Sequence, residues 1–446
     1  MTPEPNPQQA DPIDIAESDA VAILVDLIRI DTSNDGTDVG PGEILAAEYV
    51  QELLRDVGYD AELITTTSGR RAAVAVRIAG VDPTRPALLL HGHLDVVPAV
   101  AADWSVPPFA AEEADGMIWG RGAVDMKDTD AMFLALLRSW ARTGYRPPRD
   151  IIAIFTPDEE AGGRHGAHWL VEHRPDLFTG ATEAIGEVGG FSWSLDADRR
   201  LYLIQTAEKG ITWLRASARG RAGHGSMLNM ENAVTELAQA IARVGLHDFP
   251  VSLGPTATAL LAEIAELTGL SMAPGDEINS LMQLGPLASF VGSGLKNTAN
   301  PTMLAAGYKV NVIPEVATAH IDGRFLPGQR DVFLAELQRL VGEGVDLEVL
   351  TDDVALEVPY EGDLVHAMAA ALRAEDPGAY PVPYLMSGGT DAKAFSRLGI
   401  KGYGFAPLRL PADLNFAALF HGVDERVPID SVRFGVRVLD RFLRHC

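Results

Sequence analysis

Five short segments carry side chains able to hold metal ions and activate water: HGHLDVVP (91–98), GRGAVDMKD (120–128), TPDEEAGG (156–163), IGEVGG (185–190) and FHGVDERVP (420–428). In an extended strand, residues i, i+2 and i+4 share a face, so His91, His93 and Asp95 project to one side. A ligating histidine is commonly oriented through its other ring nitrogen, and the Asp95 carboxylate is placed to do this for His93. His91 reads equally as a second metal-facing imidazole or as a core histidine satisfied by backbone groups. Asp125 sits in a glycine-bracketed turn ahead of a helix. Its two oxygens can bridge two cations, although an aspartate in that place is also a common helix cap.

Glu159 and Glu160 are neighbours at the end of an apolar run, where they repel each other and each needs a reason to be there. A metal hydrolase supplies two reasons: one carboxylate ligates, while the other takes a proton from water. Glu187 ends another apolar run, an awkward place for an unpaired charge. His421 adds a late imidazole. Two imidazoles and three carboxylates, with one glutamate to spare, form an N/O set suited to zinc, cobalt or manganese. Two such ions about 3.5–4 Å apart, sharing a carboxylate, activate a water and polarise a carbonyl together.

Positioning these groups requires strands that end near one another. The runs 72–78, 86–94, 150–156 and 183–188 are apolar and rich in branched residues, and a helical stretch, 131–143, lies between two of them. Val21, Leu24, Val25 and Ile28, then Ala46, Val50, Leu53, Leu54 and Val57, repeat with helical spacing. Strands alternating with helices imply a mostly parallel sheet covered on both faces. Beyond about Glu208 the pattern changes to strand 211–222, helix 232–244, an irregular stretch 251–302, strands 307–314 and 317–327, helix 330–342 and strand 345–350. That order predicts an inserted α+β sandwich with an antiparallel sheet. The expected division is a disordered leader over 1–16, catalytic segments 17–207 and 352–446, and an inserted domain over 208–351.

The chain has 446 residues, more than one compact core accommodates. A formal charge of −26 argues against nucleic acid and against anionic membrane surfaces, both of which need a basic footprint. The single cysteine, Cys446, excludes an internal disulfide framework and a zinc–thiolate site. The N-terminus, MTPEPNPQQADP, lacks the cationic and apolar regions of a secretory signal, and no apolar run nears the ~20 residues that span a bilayer. A cytoplasmic location is therefore expected.

With these motifs, the chain resembles the M20 family of dinuclear metallopeptidases and deacylases, a group including acetylornithine and succinyl-diaminopimelate deacylases, aminoacylases and glutamate carboxypeptidases. The resemblance spans about residues 17–440. It implies that His93 and Glu187 hold one ion, Glu160 and His421 the other, and Asp125 bridges them. Glu159 is then the general base, Asp95 the aspartate behind the histidine, and the Asp125–Met126 peptide is cis. The inserted domain resembles the family's lid, which also forms a homodimer. Within its AGHGSM segment, His224 would reach the partner subunit's site and stabilise an oxyanion. Asn311, Arg324, Gly389 and Thr390 match substrate contacts, often to a carboxylate. Asp391 and Lys393 are expected at the surface. ALEVPYEG (355–362) lacks an arginine that some carboxypeptidase members carry nearby, which argues against glutamate-type specificity.

The expected activity is hydrolysis of an amide bond in a peptide or N-acyl amino acid with a free carboxylate. Two divalent ions, zinc foremost with cobalt or manganese as alternatives, would serve it. A non-catalytic amino acid- or peptide-binding relative is the competing reading, and it would be expected to lack one of the positions filled here. A serine hydrolase built on Ser226 and His224 fails, because GHGSM is not a G-x-S-x-G elbow.

Overall fold

The computed structural model describes residues 11–37, 39–66 and 69–446. Two compact units divide the chain: one comprises the residues up to Gln205 with Pro359–Val382 and Thr390–Cys446, the other Thr206–Val358 and Pro383–Gly389. Among the described residues no helix is long and apolar enough to cross a membrane.

In the first unit, strands run in the spatial order Glu62–Thr65, Ala72–Ile78, Ile151–Thr156, Ala87–His93, Ala181–Gly186, Lys401–Gly404. The last four are mutually parallel; the first two join antiparallel. Parallel strands must be covered on both faces, and every residue of Ala87–His93 and of Ile151–Thr156 is buried. On one face Leu89, Ile152, Ile154 and Ala184 form a core with Leu170, Val171 and Phe395. On the other, Lys127–Thr143 lies against Ala87–His93 and packs with Pro12–Arg29 and Ile429–Leu443. A Cβ on Gly92 would lie 2.0 Å from Asp130 Oδ1, so only glycine permits that helix to approach so closely.

From Ala87–His93 the chain crosses to Ile151–Thr156 on one side, then to Ala181–Gly186 on the other. Such a reversal opens a crevice beyond the carboxyl ends of the strands. There the chain places His93, the 157–163 turn and Glu187. The short strand Arg426–Pro428 pairs with Met117–Trp119, which brings the 420–425 loop beside the 120–126 turn.

The second unit has a four-stranded antiparallel sheet in the order Thr298–Ala306, Val316–Phe325, Gly210–Arg219, Val345–Asp353. Helices Ala233–Gly245 and Arg330–Val341 bury Leu237, Ile241, Phe333 and Leu337 against Leu214, Ala319 and Ile321. Asn232 caps the first of these helices by accepting from Val234 N and Thr235 N.

Three expectations are corrected. The leader does not extend through residue 16: Asp11 caps a helix over Pro12–Arg29 whose Ala16 is buried, with proline at the first helical position; residues 1–10 lie outside the described residues. The stretch 251–302 is not irregular, since it holds helices Pro255–Thr268 and Pro286–Gly292 and part of the edge strand. That edge strand is Thr298–Ala306, not 307–314, of which only Val312–Ile313 pairs as a strand. A proline within Thr298–Ala306 and the lack of a clear period-two alternation hide it: the register shifts between Pro301 and Met303, as suits proline at an edge.

Candidate metal centre

The residues converge in the first unit. His93 Nε2 lies 3.1 Å from Asp125 Oδ1 and 3.2 Å from Glu187 Oε2. His421 Nε2 lies 3.2 Å from the other oxygen, Asp125 Oδ2, and 3.0 Å from Glu160 Oε2. Glu159 Oε2 is 3.9 Å from His93 Nε2. His93 with Glu159 and Glu187, and His93 with Asp125 and Glu160, each bring three ligand atoms within 4.8 Å of one another.

The hydrogen-bond chemistry shows what this cluster lacks. His93 Nδ1 is 2.9 Å from the Asp95 main-chain oxygen, which only accepts, so Nδ1 carries the proton. A neutral ring would turn its Nε2 lone pair toward two carboxylate oxygens, a repulsion that either a proton or a metal cation at Nε2 relieves. Two atoms each ~2.0–2.1 Å from one tetrahedral ion stand about 3.3 Å apart, close to the separations here. Glu160 Oε1 is buried with no hydrogen-bond partner among the described residues.

Electrostatics point the same way. Burial pushes the Glu187 carboxyl up to about 8. Burial, then the neighbouring Glu187 charge, raises Glu159 well above the usual range, and burial and Asp125 raise Glu160. Burial also works to raise Asp125, but hydrogen bonds from His421 and His93 outweigh it and hold it low. Hydrogen bonds to Asp125 and Glu160 lift His421 to about 10. For His93, burial is opposed by Glu187 and Asp125, and the ring is raised well above its ordinary value. Buried carboxylates crowded around two imidazoles are a poor arrangement for a protein alone and a good one for a divalent cation.

Local geometry aims these groups. The Asp125–Met126 peptide is cis. His421 and Val188 have positive φ (56° and 53°), unusual for residues with side chains and most so for β-branched valine. Glu425 is fully buried: it accepts from Arg121 Nη1 at 2.6 Å and from the main-chain nitrogens of Gly122, Val124 and Asp125 at 3.1, 2.7 and 3.1 Å. It thereby ties the His421 loop to the Asp125 turn.

Asp95 differs from expectation. Its carboxylate lies 3.7 Å from His93 Nδ1 and does not orient the ring, which is held by the Asp95 carbonyl instead. The carboxylate accepts from Glu159 N (3.0 Å) and Glu160 N (3.1 Å). His91 is not part of the cluster. It packs edge-on against Phe395 with centroids 5.0 Å apart, in space left by Gly186, and burial lowers it to about 3.

The second unit carries His224, Asn311, Arg324 and Gly389. His224 is exposed, with Nδ1 2.8 Å from Ser226 Oγ, and Gly223–His224 pairs with Val312–Ile313 next to Asn311. Arg324 Nε donates to Asp322 Oδ1 at 2.8 Å. Thr390, in the first unit, is buried and accepts from Ala392 N at 3.2 Å. Asp391 and Lys393 are not surface residues: both are buried, and Asp391 accepts from Thr156 Oγ1 at 2.6 Å, because the short Ala392–Ser396 helix packs into the core. Sequence reasoning passed over Asn34, Glu43, Arg71 and Asp158, which are buried behind Asp95. No spacing rule marks Asn34, Glu43 or Arg71; Asp158, inside TPDEEAGG, and Glu425, four residues after His421, lie within motifs that offered a signal.

The profile described as Peptidase family M20/M25/M40 matches residues 89–445. Aminoacylase-1 of Homo sapiens is 28% identical over 435 residues, covering 96% of this chain and 95% of that protein. N-fatty-acyl-amino acid synthase/hydrolase PM20D1 of Homo sapiens is 28% identical, covering 82% and 76%. Among solved structures, the M20 family metallo-carboxypeptidase Sso-CP2 from Sulfolobus solfataricus is similar with a TM-score of 0.72 at 17% identity, covering 96% and 98%. The dipeptidase Dug1p from Saccharomyces cerevisiae follows with 0.70 at 16%, covering 97% of each chain.

Proposed function

Because the chain belongs to the M20/M25/M40 peptidase family and is a hydrolase, we propose that it is a dinuclear metalloenzyme. Its reaction would be cleavage of the amide bond of an N-acyl amino acid or small peptide that bears a free carboxylate. The observation that carries this reading is Asp125, whose two oxygens each face a different imidazole, one beside Glu187 and the other beside Glu160. His93, Glu187 and Asp125 would hold one ion, and His421, Glu160 and Asp125 the other. An N/O donor set of this kind suits zinc, with cobalt or manganese as substitutes.

When bound, the two cations would supply an acidified water and a polarised carbonyl. The chain's own residues do the rest. Glu159 takes the proton of the attacking water and delivers it to the leaving amine, acting first as base and then as acid. His93, Asp125 and Glu187 are buried, while His421 is exposed and leaves the cluster open to substrate on that side. Arg324, Asn311, Gly389 and Thr390 would hold the substrate carboxylate, for which an arginine fork is suited. His224 of the partner subunit would donate to the oxyanion, a role worth about 2.7–4 kcal/mol where single donors have been removed. Two apolar segments near His224 support a homodimer. Met227, Leu228, Met230, Tyr308 and Val310 are all exposed, Leu228 and Val310 completely.

The test is to strip the protein with a chelator, reload it with zinc, cobalt or manganese, and screen dipeptides and N-acyl amino acids. Activity should vanish and return with the metal. Glu159→Gln should lower kcat by ~10³-fold or more while two ions remain bound. A variant as active as the parent would refute the base assignment.

A further inference from the structure

Glu159 and Glu160 stand on a single turn of 3₁₀ helix, Glu159–Ala161, preceded by Asp158 in a left-handed conformation (φ 71°). A three-residue turn entered through a strained aspartate does not hold itself in place. What holds it is Asp95, whose carboxylate straddles the two amides, Oδ1 on Glu159 N and Oδ2 on Glu160 N. Asp95 is in turn held by Asn34, whose Nδ2 donates to Asp95 Oδ2 at 2.8 Å and to Asp158 Oδ1 at 3.2 Å.

The orientation of that amide is set by Arg71. Its Nη2 donates to Asn34 Oδ1 at 3.0 Å, and its Nη1 reaches Glu43 Oε1 at 2.6 Å and Asp158 Oδ1 at 3.2 Å. A guanidinium only donates and an ionised carboxylate only accepts, so Asn34 has one way to face both: oxygen to Arg71, nitrogen to the two aspartates. All five residues are at most 5% exposed. Asn34, Glu43 and Arg71 precede residue 89, where the family profile match begins.

We propose that Asn34, oriented by Arg71, is a positioning residue that fixes the Asp95 carboxylate and, through it, the turn carrying Glu159 and Glu160. The inference rests on reading Glu159 as the base and Glu160 as a ligand, and it extends the active centre by a buried relay from the 34–71 segment. The relay is rigid because its members are desolvated and each link is directional.

The test uses full-length, zinc-loaded Asn34→Leu, similar in size and unable to bond, together with Arg71→Lys, which keeps the charge but loses the fork. Amide hydrogen exchange at Glu159 and Glu160 is compared with that at Leu88–Leu90 in the neighbouring strand. In Asn34→Leu, protection at the two glutamates should fall by about fivefold or more while Leu88–Leu90 is unchanged. On the N-acyl amino acid or dipeptide that the parent turns over fastest, kcat should fall at least about fivefold with KM within about twofold. Arg71→Lys should move both readouts in the same direction. Asn34→Leu values within fivefold of the parent overturn the proposal, as does an equal loss of protection in Leu88–Leu90, which would mark general destabilisation. If Glu159→Gln is fully active, the base reading fails, while the exchange result still decides whether the relay holds the turn.

Discussion

His93 and His421 each present Nε2 to an oxygen of Asp125, and the crowd of carboxyls around them has a consequence that can be measured. Without cations, Glu187 titrates near 8 and His421 near 10, with Glu159 and His93 also raised. At neutral pH Glu187 and His421 therefore hold protons that ligation must displace. Zinc uptake at pH 7 should release about two protons per chain, read by calorimetry in buffers of different ionisation enthalpy, and the apparent affinity should rise from pH 6 to 8. The stability sign follows. Glu187 and His421 bind protons more tightly folded than unfolded, so their contribution is present below their unfolded pKa values, about 4.3 and 6.5, and is lost as pH rises through 8 and 10. Urea unfolding of the cation-free protein should show stability falling between pH 6 and 8.5, and zinc should flatten that fall.

Three parallel strands end on one edge of the sheet, and that shared polarity makes the centre possible. The fourth contributor, the His421 loop, arrives through the pairing of Arg426–Pro428 with Met117–Trp119 and through Glu425. Glu425 accepts from four donors in the 121–125 turn, some 300 positions earlier, with both carboxylate oxygens used. Glu425→Gln replaces one acceptor by a donor facing N–H groups and leaves Arg121 without its ionic partner. Breaking such a buried pair costs about 3–5 kcal/mol, visible as a lowered denaturation midpoint. Because Asp125 moves with the turn, zinc titration should also show the second equivalent binding more weakly. Unchanged unfolding and two tight equivalents would show that the hairpin alone holds the loop.

At the scale of the molecule, the second unit carries His224 and Asn311 beside a short strand pair, with Met227, Leu228, Tyr308 and Val310 exposed within four residues of them in the chain. Exposed apolar side chains gathered in this way mark an interaction surface, which the proposed homodimer would cover. Leu228→Asp and Val310→Asp should therefore shift sedimentation from dimer to monomer without changing the denaturation midpoint. If His224 acts across the interface, activity should become dependent on protein concentration. Mixing His224→Ala with Glu159→Gln, each inactive alone, should restore up to about a quarter of parental activity in statistically formed dimers, since only mixed pairs carry one intact site. Unchanged sedimentation of both Asp variants would place these side chains outside any interface, and no rescue on mixing would remove the partner from the mechanism.

Much of this was legible in the sequence. Apolar runs ending in His93, Thr156 and near Glu187 could be strands buried on both faces, and such strands are parallel because only helical crossovers cover both sides. The inserted unit announced itself by alternation over 211–222, which the structure holds as the strand Gly210–Arg219. The sequence could not show Thr298–Ala306 as a strand, since it carries a proline and no regular alternation, as an exposed edge permits and a core strand does not. Nor could it decide whether His91 joins His93 as a ligand; the structure answers by what lies opposite, Phe395 for His91 and Asp125 and Glu187 for His93. The sequence by itself determined the donor types and the parallel sheet, because ligand chemistry and hydrophobic period are local properties. The tertiary structure alone decided that Asp95 holds a turn and not a ring, and that Asn34, Arg71 and Glu425 support the centre. Hydrogen bonds between residues tens to hundreds of positions apart depend on distances and directions that exist only once the chain has closed on itself.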